Sequence, residues 1–136
     1  MAYSIESLDL DKENTDPYKE TRLANLGPYD CAGGAENTIA VIESGSLSNV
    51  GVIVSDIKAQ GSTIRVYGCN QPRSSLHGTA PHSNNRVLLL DTLTVAAGGS
   101  DGGFLTGSWK FLIFTEESAG AETENIMIDI HAETRS

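Results

Sequence analysis

From Asn37 to the C-terminus the chain advances in short runs of β-branched and aromatic residues, each closed by glycine, serine or proline, with no interval long enough for a crossover helix. Strands are expected over Thr38–Glu43, Val50–Ile57, Ser62–Gly68, Arg86–Val95, Trp109–Thr115 and Glu124–His131. In the third, Ile64 and Val66 alternate with Arg65 and Tyr67, the mark of a half-buried strand. The fourth is long enough to require a bend or bulge near Asp91. The last sets Ile126, Ile128 and Ile130 on one face and turns His131 toward solvent or a neighbouring subunit. Gly98–Gly103 reads as a hairpin tip, and Cys69–Asn85 as a long polar loop of the kind that is usually functional or disordered. Six or more short strands without an amphipathic helix predict an all-β fold, an antiparallel β-sandwich of jelly-roll type.

The first three dozen residues are unlike the rest. Residues 1–36 carry eight acidic side chains against three basic ones, Lys12, Lys19 and Arg22. Their apolar residues are sparse, and ordering a backbone costs about 1–2 kcal/mol per residue, so this stretch needs another surface on which to take shape. The division expected is an extended N-terminal arm over 1–35 and a β-sandwich domain over 36–136. Within the arm, Asp16-Pro17 resembles a helix start and Gly27-Pro28 a stop, which predicts a short helix from Pro17 to Asn25. Cys31–Ala35 reads as a hinge. The anchors Tyr3, Ile5, Leu8, Leu10 and Tyr18 are the expected partner-binding residues, able to add as a strand or to fill shallow pockets.

With 18 acidic and 9 basic residues the net charge is −9, which repels phosphate backbones and anionic lipid, so neither nucleic acid nor membrane is an expected partner. The opening residues have no signal-peptide pattern, and no stretch approaches the length of apolar sequence that spans a bilayer, so the chain is expected to be soluble and made in the cytosol. Cys31 and Cys69 are too few and too far apart for a zinc site, and two buried thiols are favoured over a bridge.

The search for chemistry yields little. His77 and His82, five residues apart in the long loop, are too few to hold a metal and are expected at a contact surface. The carboxylates Glu116, Glu117, Glu122 and Glu124 cluster about one turn, where solvation is expected to leave them unperturbed. No serine lies in a G-x-S-x-G elbow. No metal, cofactor or catalytic role is expected, and the chain is read as a non-enzyme. Trp109 and Tyr67 are the aromatic candidates for a sugar face, with the core the preferred place for Trp109.

In layout, an acidic arm from Met1 to Glu36 followed by a glycine-punctuated β region from Asn37 to Ser136, the chain resembles the decoration, or cement, proteins that cover the heads of tailed bacteriophages. Some of these are small β-sandwiches that trimerise over junctions between capsid subunits. The resemblance implies a structural viral protein on the virion exterior, made in the host cytoplasm, homotrimeric, with the major capsid protein as partner. A carbohydrate-binding or host-adhesion module of a virion is the alternative, with Trp109, Tyr67 and the His77–His82 loop as its sugar face.

Overall fold

A computed structural model of the chain describes residues 5–7, 11–12, 20–45, 47–76, 80–83 and 86–134. These form β1 (Ile5–Ser7), β2 (Asp11–Lys12), β3 (Glu20–Cys31), β4 (Gly34–Glu43), β5 (Leu47–Asp56), β6 (Ser62–Cys69), β7 (Val87–Val95), β8 (Ser100–Phe104), β9 (Phe111–Ser118) and β10 (Glu122–Thr134), with two short 3-10 turns at Arg73–Ser75 and Pro81–Ser83. One sheet has the order β1-β4-β9-β6-β7 and the other β2-β3-β10-β5-β8.

The eight longer strands pair in a nested series, β6 with β7, β5 with β8, β4 with β9 and β3 with β10, every pair antiparallel. The chain is therefore one long hairpin ribbon. Rolling that ribbon over brings β5 beside β10 and β6 beside β9, and closes it into two packed sheets. This is a jelly-roll, as the sequence predicts. The bulge expected near Asp91 is present too: Val66 pairs with Asp91 and Tyr67 with Leu89, so Leu90 is the extra residue.

The inner faces meet in a core that includes Val52 and Val54 of β5, Ile64 and Val66 of β6, Leu112 and Phe114 of β9, and Ile126, Ile128 and Ile130 of β10. A second, smaller cluster forms outside the first sheet, where Leu76 covers Val41, Cys69, Phe111 and Ile113. Strand β9 is thus apolar on both faces, which explains its unbroken run from Phe111 to Phe114. The loop after β6, expected to be polar and functional or disordered, instead roofs this patch: Gln71, Leu76 and Pro81 are buried. Cys31 and Cys69 are both free and buried; burial pushes the Cys31 thiol up, an effect the Asn125 amide partly opposes.

Three expectations are corrected. Residues 20–31 are not helix and hinge but strand β3, paired with β10 from Glu20–Thr134 to Cys31–Glu122. Local capping signals are worth about 1 kcal/mol, less than a full-length strand pairing with a core face; Ala24, Leu26 and Tyr29 pack on the main core while Asn25 points out. Gly27-Pro28, read as a helix stop, is a bulge opposite Met127, since Ile126 pairs with Tyr29 and Ile128 with Leu26. A proline without an N–H fits there, and Gly27 takes a positive φ of 106°. The boundary expected near Ala35 accordingly falls inside the sandwich. The supposed tip Gly98–Gly103 is largely strand β8, whose Gly102 is demanded by close approach, because a Cβ there would run into the Val52 carbonyl.

The third correction concerns Glu116. Far from being a solvated loop-tip carboxylate, it is fully buried, accepting from the Ala32 N–H at 3.2 Å, the Ser118 hydroxyl at 2.7 Å and the Asn37 amide. Close by, the buried Asp56 carboxylate gathers the backbone N–H groups of Gln60, Gly61 and Gly98 and the side-chain amide of Asn125. Asn125 is itself fully buried, accepts from the Lys58 N–H at 2.6 Å and reaches Cys31 Sγ at 3.4 Å. One end of the sandwich is therefore held by polar bonds that tie the turns after β5 and β7 to β10.

Candidate functional site

The two outer faces differ in what they leave open. On the first sheet, Tyr67 donates to Glu36 at 2.6 Å, Thr115 donates to the same carboxylate at 2.6 Å, and Arg65 bonds Glu117 at 2.8 Å. Burial raises the pKa of the Tyr67 phenol and the Glu36 contact raises it further, to about 12. Burial alone would raise Glu36, but the hydrogen bonds from Thr115 and Tyr67, with His82 and Arg65 nearby, hold it below the usual range. These groups satisfy one another.

His82 belongs to the same closed surface. Its Nδ1 lies 2.8 Å from the Thr38 hydroxyl, and its ring is 6.0 Å from that of Tyr67. The bond to Thr38 ties the covering loop to β4. His77 lies outside the described residues.

Trp109 is likewise occupied. Its indole lies flat on Gly68, where a Cβ would collide with the ring, and its Nε1 donates to the Thr106 carbonyl at 2.7 Å. Replacing Gly68 by alanine should force the indole off its seat at a cost of about 1–3 kcal/mol. Since Trp109 is the single tryptophan, a red-shifted emission together with a lowered melting temperature checks this. An unshifted spectrum would contradict the packing.

Among the described residues the outer face of the second sheet is open. Across it, Phe104 of β8 pairs with Gly51 of β5, which pairs with His131 of β10; one row along, Gly102 pairs with Ile53, Ile53 with Asp129, and Asp129 with Asn25. Alternation along the strands sends all of these side chains outward. Gly51 and Gly102 contribute no side chains, so they leave a trough of about 600 Å³ whose walls include Phe104, Ile53, Asp129 and His131. Phe104 is 79% exposed and Ile53 54% exposed, and the Phe104 ring rests 3.1 Å from where a Gly51 Cβ would stand. A further hollow of about 770 Å³, reaching Ser48, Asn49 and Ser108, lies beyond Phe104. Two large apolar side chains held in water beside a groove are the pattern of a binding surface rather than of a solvated face.

Sequence reasoning missed this site because Gly102 fell in a presumed turn and Phe104 between that turn and the next expected strand. The signal available was the unbroken apolar run Val52-Ile53-Val54, which puts Ile53 on the solvent side if Val52 and Val54 are core. Of the arm anchors, Ile5 lies in β1, which runs parallel to β4 with Ile5 opposite Val41. Tyr3, Leu8, Leu10 and Tyr18 fall outside the described residues. Among the described residues no group of three His, Cys, Asp or Glu side chains is arranged to hold a metal ion, and no helix is long and apolar enough to cross a membrane.

No protein-family model matches the chain, and no curated protein matches it. Solved structures share its shape at very low identity. The STIV major capsid protein matches with a TM-score of 0.52 at 7% identity, over 86% of this chain and 41% of that one. A chain from the capsid of Ralstonia phage GP4 matches at 0.48 and 9% identity, over 98% and 99% of the two chains. CorA, a surface-associated copper-binding protein of Methylomicrobium album BG8, matches at 0.47 and 9% identity, over 95% and 98%. What this chain shares with the STIV capsid protein is the β-sandwich fold.

Proposed function

We propose that this protein is a non-enzymatic structural component of a virion that binds the outer surface of a capsid, with the major capsid protein as partner and a trimer as the working form. The observation that carries the reading is the open trough of the second sheet, with Phe104 and Ile53 standing in solvent on a rigid β surface. Aromatic anchors of this kind supply much of the energy of an interface. The jelly-roll is a fold that viral coats use, and a capsid protein has the same sandwich. The arm moves to a lesser role in this reading, because Ile5 is already paired within the chain.

The test is cosedimentation with phage heads stripped of accessory protein. Wild type should saturate the heads, and Phe104→Ser should bind at least tenfold more weakly, because re-burying that ring is worth about 1.5–3 kcal/mol and each 1.4 kcal/mol is tenfold. A trimer enlarges the loss through avidity, and light scattering of the free protein reports the oligomer. Failure of wild type to bind, or full binding by a folded Phe104→Ser variant, contradicts the proposal.

One observation favours sugar binding as a second reading. The Asn25–Asp129 pair stands beside an aromatic wall, the combination that grips a pyranose ring. With Trp109 and Tyr67 occupied, Phe104 becomes its platform. A glycan array with binding lost in Phe104→Ser would support it.

A further inference from the structure

We infer that the trough of the second sheet receives a lysine or arginine side chain carried on an extended segment of the partner. The inference rests on the docking reading above and names the chemistry that this face selects.

Charge is the first argument. Asp129 is bonded by the Asn25 amide at 2.5 Å, no lysine or arginine among the described residues is paired with it, and His131, two residues along, lines the same trough. An amide donates without neutralising, so this carboxylate at the edge of an apolar trough is left without an opposite charge to pair with. Several carboxylates elsewhere on the surface are matched by a cation: Glu117 and Glu36 have Arg65, at 2.8 and 3.6 Å, Glu43 has Arg73 at 3.0 Å, and Glu122 has Lys58 at 3.8 Å.

Shape is the second argument. Gly102 pairs with Ile53 and Ile53 with Asp129, so an apolar strip leads to the carboxylate. A lysine or arginine stem can lie along Ile53 and the glycine floor while its head meets Asp129. The exposed Phe104 ring adds apolar surface for the stem, whatever head it carries. A purely apolar side chain would leave Asp129 desolvated without a partner, and an acidic one would be repelled. As the occupant of this trough a second copy of the chain, itself at −9, is disfavoured by charge, so trimer contacts are expected elsewhere on the molecule.

The experiment uses the full chain, ¹⁵N-labelled, at pH 8 and low salt, titrated with blocked pentapeptides that differ only at a central lysine, arginine, norleucine or glutamate. The lysine and arginine peptides should shift the amides of Gly51, Gly102, Phe104 and His131 and bind at least tenfold more tightly than norleucine. Asp129→Asn, which keeps the shape, should abolish that preference, and Phe104→Ala should weaken the lysine and norleucine peptides alike. Equal binding of lysine and norleucine, saturable shifts with neutral oligosaccharides but with no peptide, or shifts that follow protein concentration alone would each overturn the inference. Head cosedimentation separates the two proposals. If Phe104→Ser loses the heads while peptides show no basic preference, docking stands and the cationic occupant is wrong. If peptides show the preference but wild type ignores the heads, the reverse holds.

Discussion

Replacing Asp56 with alanine is expected to destabilise the protein by about 3–5 kcal/mol, because four donors lose their acceptor together and each buried unsatisfied donor costs about 1–3 kcal/mol before relaxation. The donors are the N–H groups of Gln60, Gly61 and Gly98 and the Asn125 amide, so the turns after β5 and β7 come loose from β10 at once. Thermal unfolding should fall by roughly 10–15 °C. Burial by itself raises the pKa of Asp56, but the Gly61 N–H, the Asn125 amide and the Gly98 and Gln60 N–H groups outweigh it and hold the carboxyl below its usual range. A depressed folded-state pKa stabilises the fold above the unfolded value, roughly 3.9, and that contribution disappears as pH falls toward the folded value. Wild type should therefore lose stability below about pH 4, and Asp56→Asn should show a flatter acid limb. An Asp56→Ala variant that melts like wild type would show that water already serves these donors.

A second large effect is expected from truncating the two phenylalanines of β9, which face opposite ways. Phe114 is fully buried in the main core and Phe111 fully buried in the outer patch. Phe114→Ala should cost about 3–5 kcal/mol in global unfolding. Phe111→Ala should cost less, and its signature is local: faster exchange of the Leu76 and Ser83 amides, which bond Arg73 and Ala80 within the covering loop. Equal global losses with the loop still protected would mean that loop and sandwich form one cooperative unit.

The strands legible in the sequence are those whose signal is local. Ile64 and Val66, or Ile126 to Ile130, alternate as buried faces must, and the extra residue at Leu90 followed from the length of β7. What escaped was decided by distant partners. Strand β3 carries cap-like dipeptides, but its structure is set by β10, about a hundred residues away. Strand β8 holds two glycines, residues poor in β propensity, and it is a strand because β5 lies alongside. The candidate site suffered for the same reason. Its floor is made of glycines, and an absence of side chains becomes a groove only once neighbouring strands supply walls. Glu116 marks the opposite limit: four carboxylates around one turn look alike in sequence, and only the fold puts one of them in the interior.

The nested ribbon also governs how the polypeptide acquires its shape. Closing β6 on β7 spans the least chain of the four nested pairs, whereas joining β3 to β10 must await everything between them, so assembly is expected to zip from the middle outward and finish with the outermost strands. Until β10 is in place β3 has no mate, and the trough that spans β8 to β10 comes into being only at that final stroke.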